Sequence, residues 1–171
     1  MSSWQQMLNL YFVQTGAGLA GMGAVLVFTL AGLGSAKGIL IAGTQAGGVL
    51  SEKPELFGQL LVIMALPGTQ GFYGFICAVM AALKCGFIAG SLTISPTQGL
   101  VVFFLGLGTG LVEFQSAIWQ GMASAAATNM VAKQPSEAGK AILIPALVET
   151  YAVLALLANI LLLIWITGTK F

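Results

Sequence analysis

The chain of 171 residues has no histidine, no aspartate and no arginine; six lysines and five glutamates make up its entire charge. Without imidazoles or aspartates, and with only two cysteines, it lacks the usual ligands of a transition-metal site. A net charge of +1 provides no basic field, which argues against nucleic acid as a partner. Charged residues are 6% of the chain, where a soluble domain has about 25%. Hydrophobic residues are 58%, and the mean hydropathy is +0.98. So few charges cannot cover the surface of a 17.6 kDa globule. The composition is that of an integral membrane protein with much of its surface against lipid. Cys77 and Cys85 stand near the end of one apolar run and read as small membrane-helix residues, not as a disulfide framework. The start, Met1-Ser2-Ser3-Trp4-Gln5-Gln6, has none of the basic residues that open a signal peptide, so Met1 is read as the mature start.

Four runs are long enough to cross the hydrocarbon as helices, which needs roughly 20 apolar residues. They are about Leu8–Val49, Leu56–Leu83, Pro96–Ala132 and Ala141–Thr167. Strands are excluded: the runs show no alternation of period two, and four strands cannot close a membrane barrel. The expected fold is all-α, four transmembrane helices arranged as two tandem helical hairpins, residues 1–85 and 86–171. Ser51-Glu52-Lys53-Pro54-Glu55 and Lys133-Gln134-Pro135-Ser136-Glu137 are similar short polar turns, so the chain reads as one hairpin written twice. An even number of spans separates the two turns, so they share one side. The link Lys84–Thr97 and both termini share the other. Lys53, Lys133 and Lys140 on the first side, against Lys84 and Lys170 on the second, favour cytoplasmic turns and external termini. Glycines crowd the first run, and the third combines Gly106, Gly108, Gly110 and Gly121 with Ala123, Ser124, Ala125, Ala126 and Ala127. In lipid such residues let helices approach closely, so these two are expected to be packing helices, forming a tight inner ring in a multi-subunit assembly.

Carboxylates inside membrane spans are costly and mark functional sites by default. Glu149 lies in the fourth span, about eight residues beyond the polar turn, with no cation one turn away. It must be protonated, or held ionised by a bound cation or well-placed donors. In the second span, Pro67 removes a backbone donor and loosens a carbonyl one turn earlier, and Thr69 and Gln70 add side-chain oxygens. Gln120 in the third span adds another. This all-oxygen set with a single carboxylate suits a hard cation of charge +1. Taken singly, each glutamine is more often an interhelical hydrogen-bond group; the constellation carries the weight.

Leu66-Pro67-Gly68-Thr69-Gln70-Gly71-Phe72-Tyr73-Gly74-Phe75, Gln120-Gly121 and Val148-Glu149-Thr150-Tyr151-Ala152, with Gly32-Leu33-Gly34-Ser35-Ala36-Lys37-Gly38, carry a family resemblance across nearly the whole chain. The sequence resembles the duplicated 16-kDa proteolipid of the rotor ring of bacterial V-type (V/A-type) ATPases, and within it the sodium-transporting branch. The resemblance implies a homo-oligomeric rotor ring of about ten subunits in the membrane. It is turned by ATP hydrolysis in a soluble head or driven in reverse for synthesis. The proteolipid itself is not catalytic. The implied partners are lipid, a stator membrane protein that offers an arginine, and a central-stalk protein seated on the cytoplasmic turns. The resemblance further implies Na+ bound by the Leu66 carbonyl, Thr69, Gln70, Gln120 and Glu149, with Tyr73 hydrogen-bonding the carboxylate. H+ on the same scaffold is the alternative cargo. A more distant alternative is a small proton-coupled multidrug exporter, although such proteins are usually shorter and carry their glutamate in the first helix.

Aligning Pro54 with Pro135 sets Gly68 opposite Glu149, so the first hairpin has no carboxylate where the second has one. One ion site then serves four helices. Fewer ions move per turn than in a ring of single hairpins with the same number of helices, which favours pumping against a steep gradient. Glu113, two turns before Gln120 on the same helix face, does not fit the resemblance. It is expected at the membrane interface or facing the ring lumen, with an accessory role near Glu149 as the alternative.

Overall fold

The computed structural model describes residues 2–92 and 94–169; Lys170, counted above for sidedness, lies outside the described residues. Among them there is helix and no strand. A short helix α1 (Ser3–Leu8) is started by Ser2, whose hydroxyl accepts from the Gln5 amide while the Gln5 side chain accepts from the Ser2 amide. A π-helical segment, Asn9–Gln14, follows. The first long helix, α2, runs Ala17–Glu52. The second span is built from a 3-10 turn (Pro54–Leu56), α3 (Phe57–Ala65), a second 3-10 turn (Leu66–Gly68) and α4 (Thr69–Lys84). The third is α5 (Pro96–Lys133), opened by a Ser95/Gln98 capping box. The fourth comprises a 3-10 turn (Pro135–Glu137), α6 (Ala138–Ala141) and α7 (Leu143–Gly168). All four are long and apolar enough to cross a membrane. At 38 residues, α5 is about 57 Å long and outreaches the roughly 30 Å hydrocarbon layer.

The first span begins later than its apolar run suggests. Thr15 is extended, and both its amide and its hydroxyl donate to the Leu10 carbonyl, which closes off the preceding segment. The Gly16 amide then donates to the Ile94 carbonyl, tying the start of α2 to the link before α5. Hydropathy alone cannot show this break, because residues on both sides of it are apolar.

Helices α2 and α5 run parallel and form the closest pair. Three glycine pairs at a constant offset pin their register: Gly16 with Gly99, Gly23 with Gly106 and Gly38 with Gly121. A Cβ on Gly106 would lie 2.2 Å from the Gly23 carbonyl oxygen, and one on Gly121 would lie 2.4 Å from that of Gly38. Backbone touches backbone at these points, as small residues allow in lipid. Helix α4 packs on α2, α7 packs on α5, and α4 and α7 also meet each other. Two apolar clusters fill this arrangement. One, near the link, gathers Ala20, Ala81, Val102, Leu163 and Ile166. The other, near the polar turns, gathers Ala46, Leu60, Ile63, Ala127 and Val131. Between them lie the buried polar side chains Gln70, Thr109, Glu113, Ser116, Gln120 and Asn159. At the turn end, the Lys53 ammonium donates to the Ala132 carbonyl at 2.6 Å, placing a cation on the negative end of α5.

Candidate functional site

The site begins with Pro67. Its missing amide and fixed ring interrupt the second span, and Leu66–Gly68 tighten into a 3-10 turn instead of continuing the α-helix. The Leu66 carbonyl then accepts both the Thr69 amide and the Thr69 hydroxyl, the latter at 3.0 Å. Gln70 follows and is completely buried. Its Nε2 donates to Gln120 Oε1 at 2.7 Å, joining α4 to α5. Gln120, also completely buried, donates from its own Nε2 to the Pro145 carbonyl at 3.1 Å and to Glu149 Oε2 at 3.3 Å, joining α5 to α7. One turn beyond Gln70, the Tyr73 hydroxyl donates to Glu149 Oε1. The backbone behind the turn is held as well: the Gly71 amide donates to Ser35 Oγ on α2 at 2.8 Å.

These contacts bring Leu66, Thr69, Gln70, Tyr73, Gln120 and Glu149 into one connected set across three helices. Glu149 is half-buried and borders a shallow outer groove of about 370 Å3 shared with Ala146, Thr150, Val153 and Leu154. Its carboxylate therefore meets neutral donors on its inner side and an open face on its outer side. Among the described residues no cationic side chain pairs with it. The oxygens that could coordinate a cation are the carboxylate, one backbone carbonyl, one hydroxyl and two amide carbonyls. That is a hard ligand set with charge −1, suited to a small monovalent cation or a proton.

Three features are not apparent from the sequence. Ser116, one turn before Gln120, donates to the Val148 carbonyl at 3.4 Å and lies 3.4 Å from Gln70 Nε2, adding a second tie across the same helices. Its spacing of four from Gln120 was the available signal. Ser35 supports the turn from α2, through the Gly71 amide. Asn159 donates to Thr109 Oγ1 at 2.9 Å, some two to three turns further toward the link.

Glu113 corrects an expectation. It stands neither at an interface nor toward a lumen: it is 0% exposed within the single chain. The reason is its position on α5. It shares the helix face of Thr109, Ser116 and Gln120, which the close packing of α4 and α7 covers. Cys77 and Cys85 are both free and buried.

Two tandem membrane hairpins, joined through backbone-to-backbone glycine contacts and carrying one half-buried carboxylate among neutral oxygens, define a duplicated proteolipid. The profile of the ATP synthase C-subunit family matches the chain twice, over residues 22–81 and 103–162. The chain belongs to this family and carries two copies of its unit. It is 35% identical to the V-type sodium ATPase subunit K of Enterococcus hirae over 92% of its own length and 99% of that protein's. It is 41% identical to the A-type ATP synthase subunit K of Methanocaldococcus jannaschii over 85% of its own length and 62% of the relative's. The 16 kDa proteolipid of the V-type proton ATPase of Nephrops norvegicus is 29% identical over 67% of this chain and 70% of that one. The chain is thus a multi-pass membrane protein of the V/A-type ATPase proteolipid kind.

Proposed function

We propose that the chain is the rotor-ring proteolipid of a rotary V/A-type ATPase and carries Na+ across the membrane at Glu149. About ten copies close into a ring, with α2 and α5 of each copy inside and α4 and α7 outside. Residues 1–85 form the hairpin without a carboxylate, and residues 86–171 form the one that bears it. Leu66, Thr69, Gln70, Gln120 and Glu149 supply the ion's oxygens, and Tyr73 steadies the carboxylate. As the ring turns, Glu149 is neutralised by its ion on the lipid side. Once emptied, it faces an arginine of the stator membrane protein, because a bare carboxylate is too costly in lipid. ATP hydrolysis in the soluble head drives the turning, and reversal gives synthesis. The turns Ser51–Glu55 and Lys133–Glu137 face the cytoplasm and receive the central stalk; both termini are external.

The observation that carries this reading is that Tyr73 of α4 and Gln120 of α5 both hold Glu149, with Gln70 bonded to Gln120 behind them and no side-chain cation paired to the carboxylate among the described residues. The name of the Enterococcus hirae relative, a sodium ATPase subunit, favours sodium as the cargo. The Nephrops norvegicus relative, named for a proton ATPase, supports H+ as the second reading. Carbodiimide labelling of the native oligomer separates the two, because the reagent attacks a protonated carboxyl. Labelling of Glu149 should fall as sodium rises, and the protection should weaken at lower pH as protons compete for the site. Equal labelling at zero and saturating sodium would decide for H+.

A further inference from the structure

Glu113 lies outside the proposed ion site and has no role in it. Both of its carboxyl oxygens are buried without a hydrogen-bond partner, and the side chain is 0% exposed. The groups around it come from every neighbouring helix. On its own helix, Thr109 is already engaged by Asn159 of α7, and Ser116 is engaged by Val148 and Gln70. Of the helices packed against α5, α4 carries Tyr73 and Cys77 and α7 carries Glu149. From α2, Val27 and Leu30 lie against Gly110, and Gly34 against Phe114. The titratable neighbours are therefore all acids, and none is a cation. An ionised Glu113 would be stripped of water and unpaired, and a buried charge without a partner costs far more than the neutral acid.

A metal cation does not resolve this. It would need several further oxygens, and Ser116 already donates to Val148 and accepts from Gln70 while Thr109 accepts from Asn159. The small cavity further toward the link, lined by Cys77, Gly106, Asn159 and Leu163 and not by Glu113 itself, measures about 10 Å3. That is room for one water at most, not for a cation with its coordination shell. The neutral acid requires neither. We propose that Glu113 is a second ion-binding site of this chain, specific for a proton, held as a protonated carboxyl inside the bundle at neutral pH while Glu149 carries the transported cation.

The wild-type arm of the test rests on Glu149 carrying Na+, which holds that carboxylate ionised; the Glu149→Gln arm reads Glu113 with either cargo. Isotope-edited infrared spectroscopy of the purified native ring tests it, with 13C-labelled glutamate and saturating sodium at neutral pH. A protonated-carboxyl carbonyl band is expected in the wild-type ring and should vanish in Glu113→Gln. Its absence from the wild-type ring, or its persistence unchanged in the variant, overturns the proposal. If Glu113→Gln does not assemble, Glu149→Gln supplies the same reading, since Glu113 is then the one buried glutamate among the described residues; a ring without the band refutes the proposal.

Equilibrium 22Na+ binding gives an independent readout. An ionised carboxylate about 10 Å from the site, seven residues along the helix, would strengthen sodium binding by roughly tenfold at an effective dielectric of about 20. A protonated one contributes little, so Glu113→Gln should keep the affinity within about twofold and leave the number of ions per protomer unchanged. A tenfold weaker affinity, or the loss of a second sodium per protomer, shows an ionised Glu113 and ends the proposal.

Discussion

Glu149 and Gln120 occupy one hydrogen-bonded set but have separable roles. Glu149 is the sole carboxylate in it, so Glu149→Gln preserves size and hydrogen-bonding capacity while removing the charge that the proposed mechanism passes between ion and stator. ATP-driven sodium uptake into vesicles should be abolished, with the native mass of the ring unchanged, because packing rests on the glycine contacts of α2 and α5. Substantial uptake by this variant would show that the ion-carrying role is assigned to the wrong residue. Gln120→Ala removes one neutral oxygen and also the donors to Pro145 and Glu149. Turnover should persist with sodium affinity lowered by about tenfold, the scale of one lost hydrogen bond to a charged group. The polar residues of this set could be read from the sequence because polar side chains stand out against an apolar background. Ser116 and Ser35 could not, since a serine in a small-residue helix looks like packing until its hydroxyl partner is known. Glu113 was misplaced for a related reason. Composition reveals a carboxylate in a span, but the side of the helix that its neighbours cover depends on how those neighbours pack.

The helical elements were legible from apolar run length, and their polar turns from lysine, glutamate and proline. The delayed start of α2 was not legible, because Thr15 and the Gly16-to-Ile94 hydrogen bond interrupt a run that is apolar on both sides. The small-residue content of α2 and α5 indicated close packing, but only three-dimensional contacts distinguish glycines that touch backbone from those that face open space. That difference gives a prediction at this scale. Gly121→Val must push a side chain into the Gly38 backbone, where a Cβ would sit 2.4 Å from a carbonyl oxygen. Overpacking of that kind costs about 1–3 kcal/mol or more per protomer. Repeated around an assembly, it should lower the detergent or thermal resistance of the purified oligomer markedly. Gly58→Ala in α3 has nothing within 4 Å and should leave that resistance as it is. Equal resistance of the two variants would mean that the α2–α5 contact does not hold the assembly together.

At the scale of the whole molecule, both polar turns emerge at one end of the bundle and the 85–95 link at the other. Sidedness is therefore a single binary property of the chain. Lys53, Lys133 and Lys140 flank the turns, and Lys84 flanks the link, so the charge imbalance favours turns on the cytoplasmic side. The native thiols do not obscure a cysteine-accessibility test. Cys77 and Cys85 are both buried, and burial pushes the Cys85 thiol up to about 11. Since the thiolate is the reactive form, and a raised value leaves almost none of it near pH 7–8, Cys85 should contribute little background. Ser51 and Ser136 are exposed in the two turns, and a cysteine at either would react near the ordinary thiol value. In intact cells, a membrane-impermeant maleimide should leave Ser51→Cys and Ser136→Cys unlabelled, whereas inverted vesicles should expose both. Assembly with the central stalk should then protect them in the complete complex relative to the isolated ring. Labelling of both positions from outside intact cells would reverse the orientation and place the stalk at the 85–95 link instead.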